Sequence, residues 1–248
     1  MLKEERQKII LEKLNQENRV LTTELCSILN VSLDTVRRDL NDLKEEGKLI
    51  KVHGGAISRN YNIPFLQPHV YKQQEKIVIA SKALDLLEDD MYVLLGGGTI
   101  MLELAKILPE RKKIRIFTVS PLVALEITQR TSIPVELIGG TVSRESYICI
   151  GGSVISKLGD ISADICLLGT NGFSVSAGIT ENDYEVSLVK RSMLAASSQN
   201  VIMCLSERVG EEKRFNVAGI SEADYFITEL PDAHHSLFEN FPGHIKIL

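Results

Sequence analysis

The chain reads as an α/β protein in two parts, a small helical head and a larger, doubly wound, largely parallel sheet. Three observations predict this. The first 57 residues hold three short helical stretches and then an alternating run closed by Gly54-Gly55. Two prolines, Pro64 and Pro68, interrupt a stretch without periodicity between Ile57 and Tyr71. From Gln73 onward, short apolar runs alternate with amphipathic helical segments, the pattern of a parallel sheet covered by helices on both faces. The expected division is residues 1–57, a linker over 58–72, and residues 73–248.

In the head, Ile9, Ile10, Leu11 and Leu14 recur at helical spacing along a first helix over Lys3–Leu14. Thr22 is placed to cap a second helix, Thr23–Leu29, and Asn30-Val31 makes a brief turn. Ser32 then caps a third helix, with Asp34 in its first turn, where the helix dipole favours an anion. Leu33, Val36, Leu40 and Leu43 fall on one stripe of that helix. Gly47 ends it, and Lys48–His53 alternates like a strand before the glycine turn. Three short helices followed by a small β-hairpin are the layout of an N-terminal winged-helix domain.

In the second part, a helix is expected over Gln73–Leu87. Strands are expected at Tyr92–Leu95, Ile114–Val119, Val135–Ile138, Ile165–Leu168, Val201–Leu205, Tyr225–Thr228 and His244–Ile247. Helices at Met101–Leu108, Leu122–Thr128 and Tyr184–Ala196 fall between them. The sequence shows neither an internal repeat nor a low-complexity tract.

Composition narrows the function classes. Of 248 residues, 44% are hydrophobic and 25% charged, an ordinary globular balance. The start, Met1-Leu2-Lys3-Glu4-Glu5-Arg6, is charged where a signal peptide needs an apolar run, and no stretch has the length to span a bilayer. A cytoplasmic protein without a membrane role is expected. Cys26, Cys149, Cys166 and Cys204 are far apart and form no C-x-x-C pair, so free thiols are expected rather than disulfides or a metal site. No cofactor is implied. The net charge is −5, yet residues 1–60 carry 11 basic and 10 acidic side chains while the remainder carries 17 and 23. If DNA is bound, its phosphates therefore meet the head.

The third helix has the makings of a DNA reader. With Leu33, Val36, Leu40 and Leu43 inward, 100° per residue points Arg38 almost directly away, Asp34 and Asn41 beside it and Arg37 on the flank. Arginine can donate to guanine in bidentate fashion and asparagine to adenine, and the major groove admits a helix. Lys48, Lys51 and His53 in the wing are spaced for backbone contacts. The bland alternative is that Arg37 and Arg38 pair with Asp34, Asp39 and Asp42 on a solvated face. The caps, the stripe and the basic wing together favour double-stranded DNA.

The run Ser32-Leu33-Asp34-Thr35-Val36-Arg37-Arg38-Asp39-Leu40, with Gly47-Lys48-Leu49 and His53-Gly54-Gly55-Ala56 after it, resembles the signature of the DeoR-type bacterial transcriptional regulators. Arg6 before Ile9-Ile10 and the Glu24-Leu25 to Leu29 stretch match it too. The resemblance implies that Ser32, Thr35, Arg37 and Arg38 belong to the DNA-contacting helix, and that the protein represses a carbohydrate or related catabolic operon. Leu102-Glu103-Leu104-Ala105, Gly139-Gly140, Gly178-Ile179-Thr180 and Val189-Lys190-Arg191-Ser192-Met193 extend it through the second part. That part is similar in such regulators to ribose-phosphate isomerase-type folds. It implies a phosphorylated sugar or similar metabolite as effector and assembly into a homo-oligomer, a dimer or tetramer.

Ligands of open α/β sheets lie beyond the carboxyl ends of the strands. There this sequence places Gly96-Gly97-Gly98-Thr99, Thr118-Val119-Ser120, Gly139-Gly140 and Gly169-Thr170-Asn171-Gly172, with Lys190 on a later helix. Glycine N–H groups at a helix start can cradle a phosphate, and Lys190 can neutralise it. Each glycine turn alone is more often a plain connection than a phosphate site. The chain departs from the family pattern here: Gly96-Gly97-Gly98-Thr99-Ile100-Met101 replaces D-S-G-T-T-T, and Cys204-Leu205-Ser206-Glu207-Arg208-Val209-Gly210 replaces A-D-S-S-K-F-G. An isomerase-like enzyme would need a carboxylate base, but Gly96, Asn171 and Leu205 stand at the matching positions. Glu181 and Glu185 are candidates that helix solubility explains as well, and no catalytic residue is assigned. A third reading has the second part only oligomerise.

Overall fold

The computed structural model describes residues 2–17, 19–52, 54–58, 71–231 and 235–248. It divides into two compact units, Met1–Val70 and Tyr71–Leu248. The linker expected over 58–72 falls mainly on residues 59–70, outside the described residues, and so does His53.

In the first unit, α1 (Lys3–Glu17), α2 (Thr22–Leu29) and α3 (Leu33–Glu45) pack around Ile10, Leu14, Leu25, Leu29, Val36, Leu40 and Leu43, all buried. Asn30, in the left-handed conformation at φ 51°, closes α2 and turns the chain. Ser32 caps α3 as expected, accepting from the Thr35 N–H at 3.3 Å. Strands β2 (Leu49–Val52) and β3 (Gly55–Ser58) form the wing.

Four details differ from the sequence reading. A three-residue strand, β1 (Arg19–Leu21), pairs antiparallel with β3 and makes the wing a three-stranded sheet. Thr22 is not a cap: Leu21 holds that position, and Thr22 is buried, its N–H bonded to the Gly54 carbonyl at 2.9 Å. Gly55 belongs to β3 rather than to the turn, paired with Leu21 and Val52, and a Cβ there would lie 2.0 Å from the Val20 carbonyl oxygen. Leu33, at the first residue of α3, is 38% exposed, and Asp39 is buried in its stead at 2%. Burial of that carboxylate is tolerated because Arg6 of α1 grips it, Nε to Oδ2 at 2.7 Å and Nη2 to Oδ1 at 3.1 Å.

The second unit centres on a seven-stranded sheet, ordered β15-β14-β12-β9-β4-β5-β6 and parallel throughout. Its strands are β4 (Tyr92–Leu95), β5 (Arg115–Thr118), β6 (Val135–Leu137), β9 (Ala163–Gly169), β12 (Ser197–Met203), β14 (Tyr225–Ile227) and β15 (Lys246–Ile247). Helices α4 (Gln73–Leu84), α5 (Thr99–Ile107), α6 (Pro121–Arg130), α7 (Gly152–Gly159) and α8 (Tyr184–Ala195) accompany it. Expected and observed strands coincide to within a few residues. The sequence reading missed α7, the ribbon of β7 (Thr141–Val142) and β8 (Cys149–Ile150), and a small antiparallel sheet of β10 (Gly172–Ser174), β11 (Gly178–Glu181) and β13 (Phe215–Ala218). The chain lays β4, β5 and β6 outward to one edge, then returns and lays β9, β12, β14 and β15 outward to the other. The reversal falls between β4 and β9, where open α/β sheets form a crevice at the carboxyl ends. No described helix is long and apolar enough to cross a membrane.

Candidate functional site

On α3 the structure leaves the reading face open. Val36, Leu40 and Leu43 are fully buried, while Ser32, Asp34, Arg37, Arg38 and Asn41 are exposed and Thr35 half-buried. The bland pairing holds for one residue in part: Arg37 Nη1 lies 3.6 Å from Asp34 Oδ1, both exposed. Asp39 and Asp42 are engaged elsewhere, by Arg6 and by Lys3 at 2.8 Å. Arg38 has no ion pair or hydrogen bond among the described residues. In the wing, Lys51 donates to Asn41 Oδ1 at 2.6 Å, tying wing to helix, and Lys48 meets Glu46 at 2.7 Å. Such exposed pairs are worth about 0–1 kcal/mol each and yield readily to a phosphate. Thr22, buried beside the wing, presents no open hydroxyl face comparable to these.

At the strand reversal of the second unit, Gly96 and Gly169 end neighbouring strands, the Gly96 N–H bonding the Leu167 carbonyl at 3.0 Å. Gly98 begins α5 at φ 110°, a conformation that favours glycine, and no side chain caps this helix. Its first N–H groups are the orphan donors that anions seek. Gly97, Gly98 and Thr99 are half-buried. Gly97 is held small by Ile148, whose Cγ2 would lie 2.3 Å from an added Cβ. Ser120 is adjacent but fully buried, and its Oγ is spent capping α6 through the Val123 N–H at 3.4 Å. The structure thus brings Gly96, Gly97, Gly98, Thr99, Ser120 and Gly169 to one edge.

Lys190 reaches the same edge from α8, with Nζ donating to the Gly169 carbonyl at 2.8 Å. Lys190, expected to neutralise a ligand's anion, is already paired with Glu181, the last residue of β11. Asn171 donates to the same carboxylate at 2.6 Å, and Gly172 is buried at the start of β10. Burial alone would push the Glu181 carboxyl up, but Lys190, Asn171 and the Asn182 N–H together hold it below the usual range. Glu181 is thereby a buried, bonded carboxylate, and Glu185, in the first turn of α8, lies on the surface.

One charged group went unnoticed in the sequence. Lys76 on α4 is only 8% exposed, and burial, then Arg208, lower its ammonium to about 8. Its Nζ stands 5.7 Å from the centre of the Tyr71 ring and has no hydrogen bond or ion pair among the described residues. Neighbouring Glu207 accepts from Tyr71 at 3.2 Å and Lys72 at 2.7 Å through Oε2, while its buried Oε1 has no partner among the described residues. A helical position beside Ile77 and Ile79 gave no sign of this burial. Cys149, Cys166 and Cys204 are buried free thiols, and burial raises Cys166 to about 12. The described residues hold no cluster suited to a metal.

A helix-turn-helix with an open arginine face, joined in one chain to a parallel α/β unit, defines a two-domain transcriptional regulator. The profile of the DeoR-like helix-turn-helix domain matches residues 6–61, and that of the DeoR C terminal sensor domain matches residues 71–230. The chain belongs to the DeoR family of transcriptional regulators. It is similar to the HTH-type transcriptional repressor GlcR of Bacillus subtilis, 32% identical over 92% of this chain and 89% of that protein. The glycerol-3-phosphate regulon repressor of Escherichia coli is 27% identical over 90% of this chain and 89% of its own length. Among solved structures, ribose 5 phosphate isomerase A from Neisseria gonorrhoeae aligns at a TM-score of 0.43 with 15% identity, covering 56% of this chain and 54% of the enzyme. The chain is a regulator, not an enzyme.

Proposed function

We propose that this regulator is a sequence-specific repressor of a carbohydrate-catabolism operon, acting in the cytoplasm and released from its operator by a phosphorylated sugar or related metabolite. Residues 1–57 bind double-stranded DNA, 58–72 link, and 73–248 sense the effector and assemble a homo-oligomer, dimer or tetramer. A single winged helix is too small to bury a strong self-interface, and paired half-sites require one. The observation that carries the reading is Arg38: it projects from α3 beside Arg37 and Asn41, exposed and without a partner among the described residues. In this reading Ser32 and Thr35 donate to the DNA backbone, Asp34 and Asn41 lie beside Arg38 at the base edges, and Lys48, Lys51 and His53 hold phosphates. Thr22, itself buried, steadies α2 against the wing through its N–H. The effector binds over Gly96, Gly97, Gly98, Thr99, Ser120, Gly169, Asn171, Gly172 and Lys190. A relative named for a glycerol-3-phosphate regulon supports a phosphorylated ligand.

The test is a mobility shift with DNA from upstream of the chain's own gene, with and without sugar phosphates. A specific shift abolished by one compound is expected. A shift that no compound disturbs would leave an oligomerising domain without a ligand, and no specific shift at low salt would sink the DNA assignment.

A further inference from the structure

The Glu181 carboxylate gathers donors from three directions. Lys190 Nζ meets Oε2, while Asn171 Nδ2 and the Asn182 N–H meet Oε1 at 2.6 and 2.8 Å. Lys190 is fixed in turn by the Gly169 carbonyl, at the carboxyl end of β9 beside the strand reversal. An ammonium, a side-chain amide and a backbone N–H converging on two oxygens are the donor set that receives a phosphate or carboxylate. A simple ion pair needs only the two charges, but here the remaining lone pairs are served as well.

We propose that Glu181 is a built-in competitor for the sensor's anion seat: Lys190, Asn171 and the Asn182 N–H receive the anionic group of a phosphorylated ligand only when the Glu181 carboxylate leaves them. The proposal rests on the reading of this domain as a sensor of such a metabolite, and it adds the step by which the ligand gains entry. Asn171 is exposed, so the seat opens to solvent on that side. Glu181 is the last residue of β11, so its departure frees a strand end and leaves the Ile179 register with Ala218 in place. The neighbouring start of α8 offers no second seat, because Asp183 already caps it through the Val186 N–H at 3.1 Å. The ligand's anion therefore replaces a charge instead of adding one, which keeps Lys190 neutralised in both states.

Inorganic phosphate is the probe, compared with chloride at matched ionic strength, and binding is read by calorimetry and by melting temperature. Glu181→Ala vacates the seat and keeps Lys190. The variant is expected to bind phosphate about tenfold or more tightly than the wild-type chain, the scale of one charge-assisted hydrogen bond. It should also regain in phosphate the stability it loses in chloride, and adding Lys190→Met should abolish both responses. Equal phosphate affinity in wild type and variant overturns the proposal. So does a variant equally destabilised in both salts, one that stays unfolded in phosphate, or a double variant that still responds. Failure of the sensor reading looks different: Glu181→Ala would bind phosphate as expected while no phosphorylated metabolite released the wild-type chain from its operator.

Discussion

The two units treat charge in opposite ways. On the head, the basic groups of α3 and the wing stand in solvent, held by exposed pairs that a phosphate can break. In the sensor, the charges near the strand reversal are turned inward: Lys190 is 12% exposed by side chain and bonded to Glu181, and Lys76 is buried against Tyr71. A surface that meets a polyanion gains from leaving its arginines unsatisfied, since counterion release then adds to binding. Lys190 is paired before any ligand arrives, since an unpaired buried charge costs several kcal/mol, whereas Lys76, buried without an ion pair among the described residues, bears such a cost. The head is thus built for its partner in advance, whereas the sensor is built to be stable without one.

Lys76 is where that contrast is most easily broken. In the unfolded chain its ammonium titrates near 10.5, in the folded chain near 8. Below about 8 both states are protonated and the fold carries the whole burial cost. Between 8 and 10.5 that cost fades as pH rises, because only the unfolded chain still holds the proton. Lys76→Met should therefore stabilise the sensor by about 3 kcal/mol at pH 7, with the gain shrinking toward pH 10, as read by urea unfolding at each pH. Equal stability of the two proteins at every pH would show that Lys76 is not paying a burial cost.

Arg38→Ala sharpens the other side. Operator affinity should fall by roughly 1–3 kcal/mol and discrimination at one base pair should relax, while the unfolding curve stays put. If affinity is unchanged, Arg38 is a solvated arginine and α3 is read through other side chains. Ser32→Ala is the mildest change. It removes the cap of α3 and should lower the head's melting transition by the equivalent of about 1 kcal/mol, leaving the sensor's transition alone.

How much of this was legible in the sequence depends on the range of the interaction that decides each feature. The cap at Ser32, the stop at Gly47 and the apolar runs of β4 and β9 are local, and each appears where expected. β1 was invisible because three residues carry too little pattern, and its partner β3 lies more than thirty residues away. Leu33 and Asp39 exchanged their expected environments because Arg6, 33 residues earlier, supplies what a buried Asp39 needs. The glycine turns were correctly placed at one sheet edge by the alternation of strands and helices. That Lys190 would already hold a carboxylate was not legible, since Glu181 reaches it only after β11 has folded back across β10.

The cysteines supply a clock that needs no engineering. Cys166 in β9 and Cys204 just after β12 lie at the middle of the parallel sheet, fully enclosed, while Cys26 on α2 is partly open. A thiol reagent therefore modifies Cys26 first, reaches buried Cys149 of β8 only when that ribbon opens, and reaches Cys166 and Cys204 only when the sheet parts. The rate at which those late sulfurs react reports how often the sensor's interior opens, in the native sequence and without a label. Any compound that tightens the domain announces itself by slowing that rate, before its identity or its effect on DNA is known.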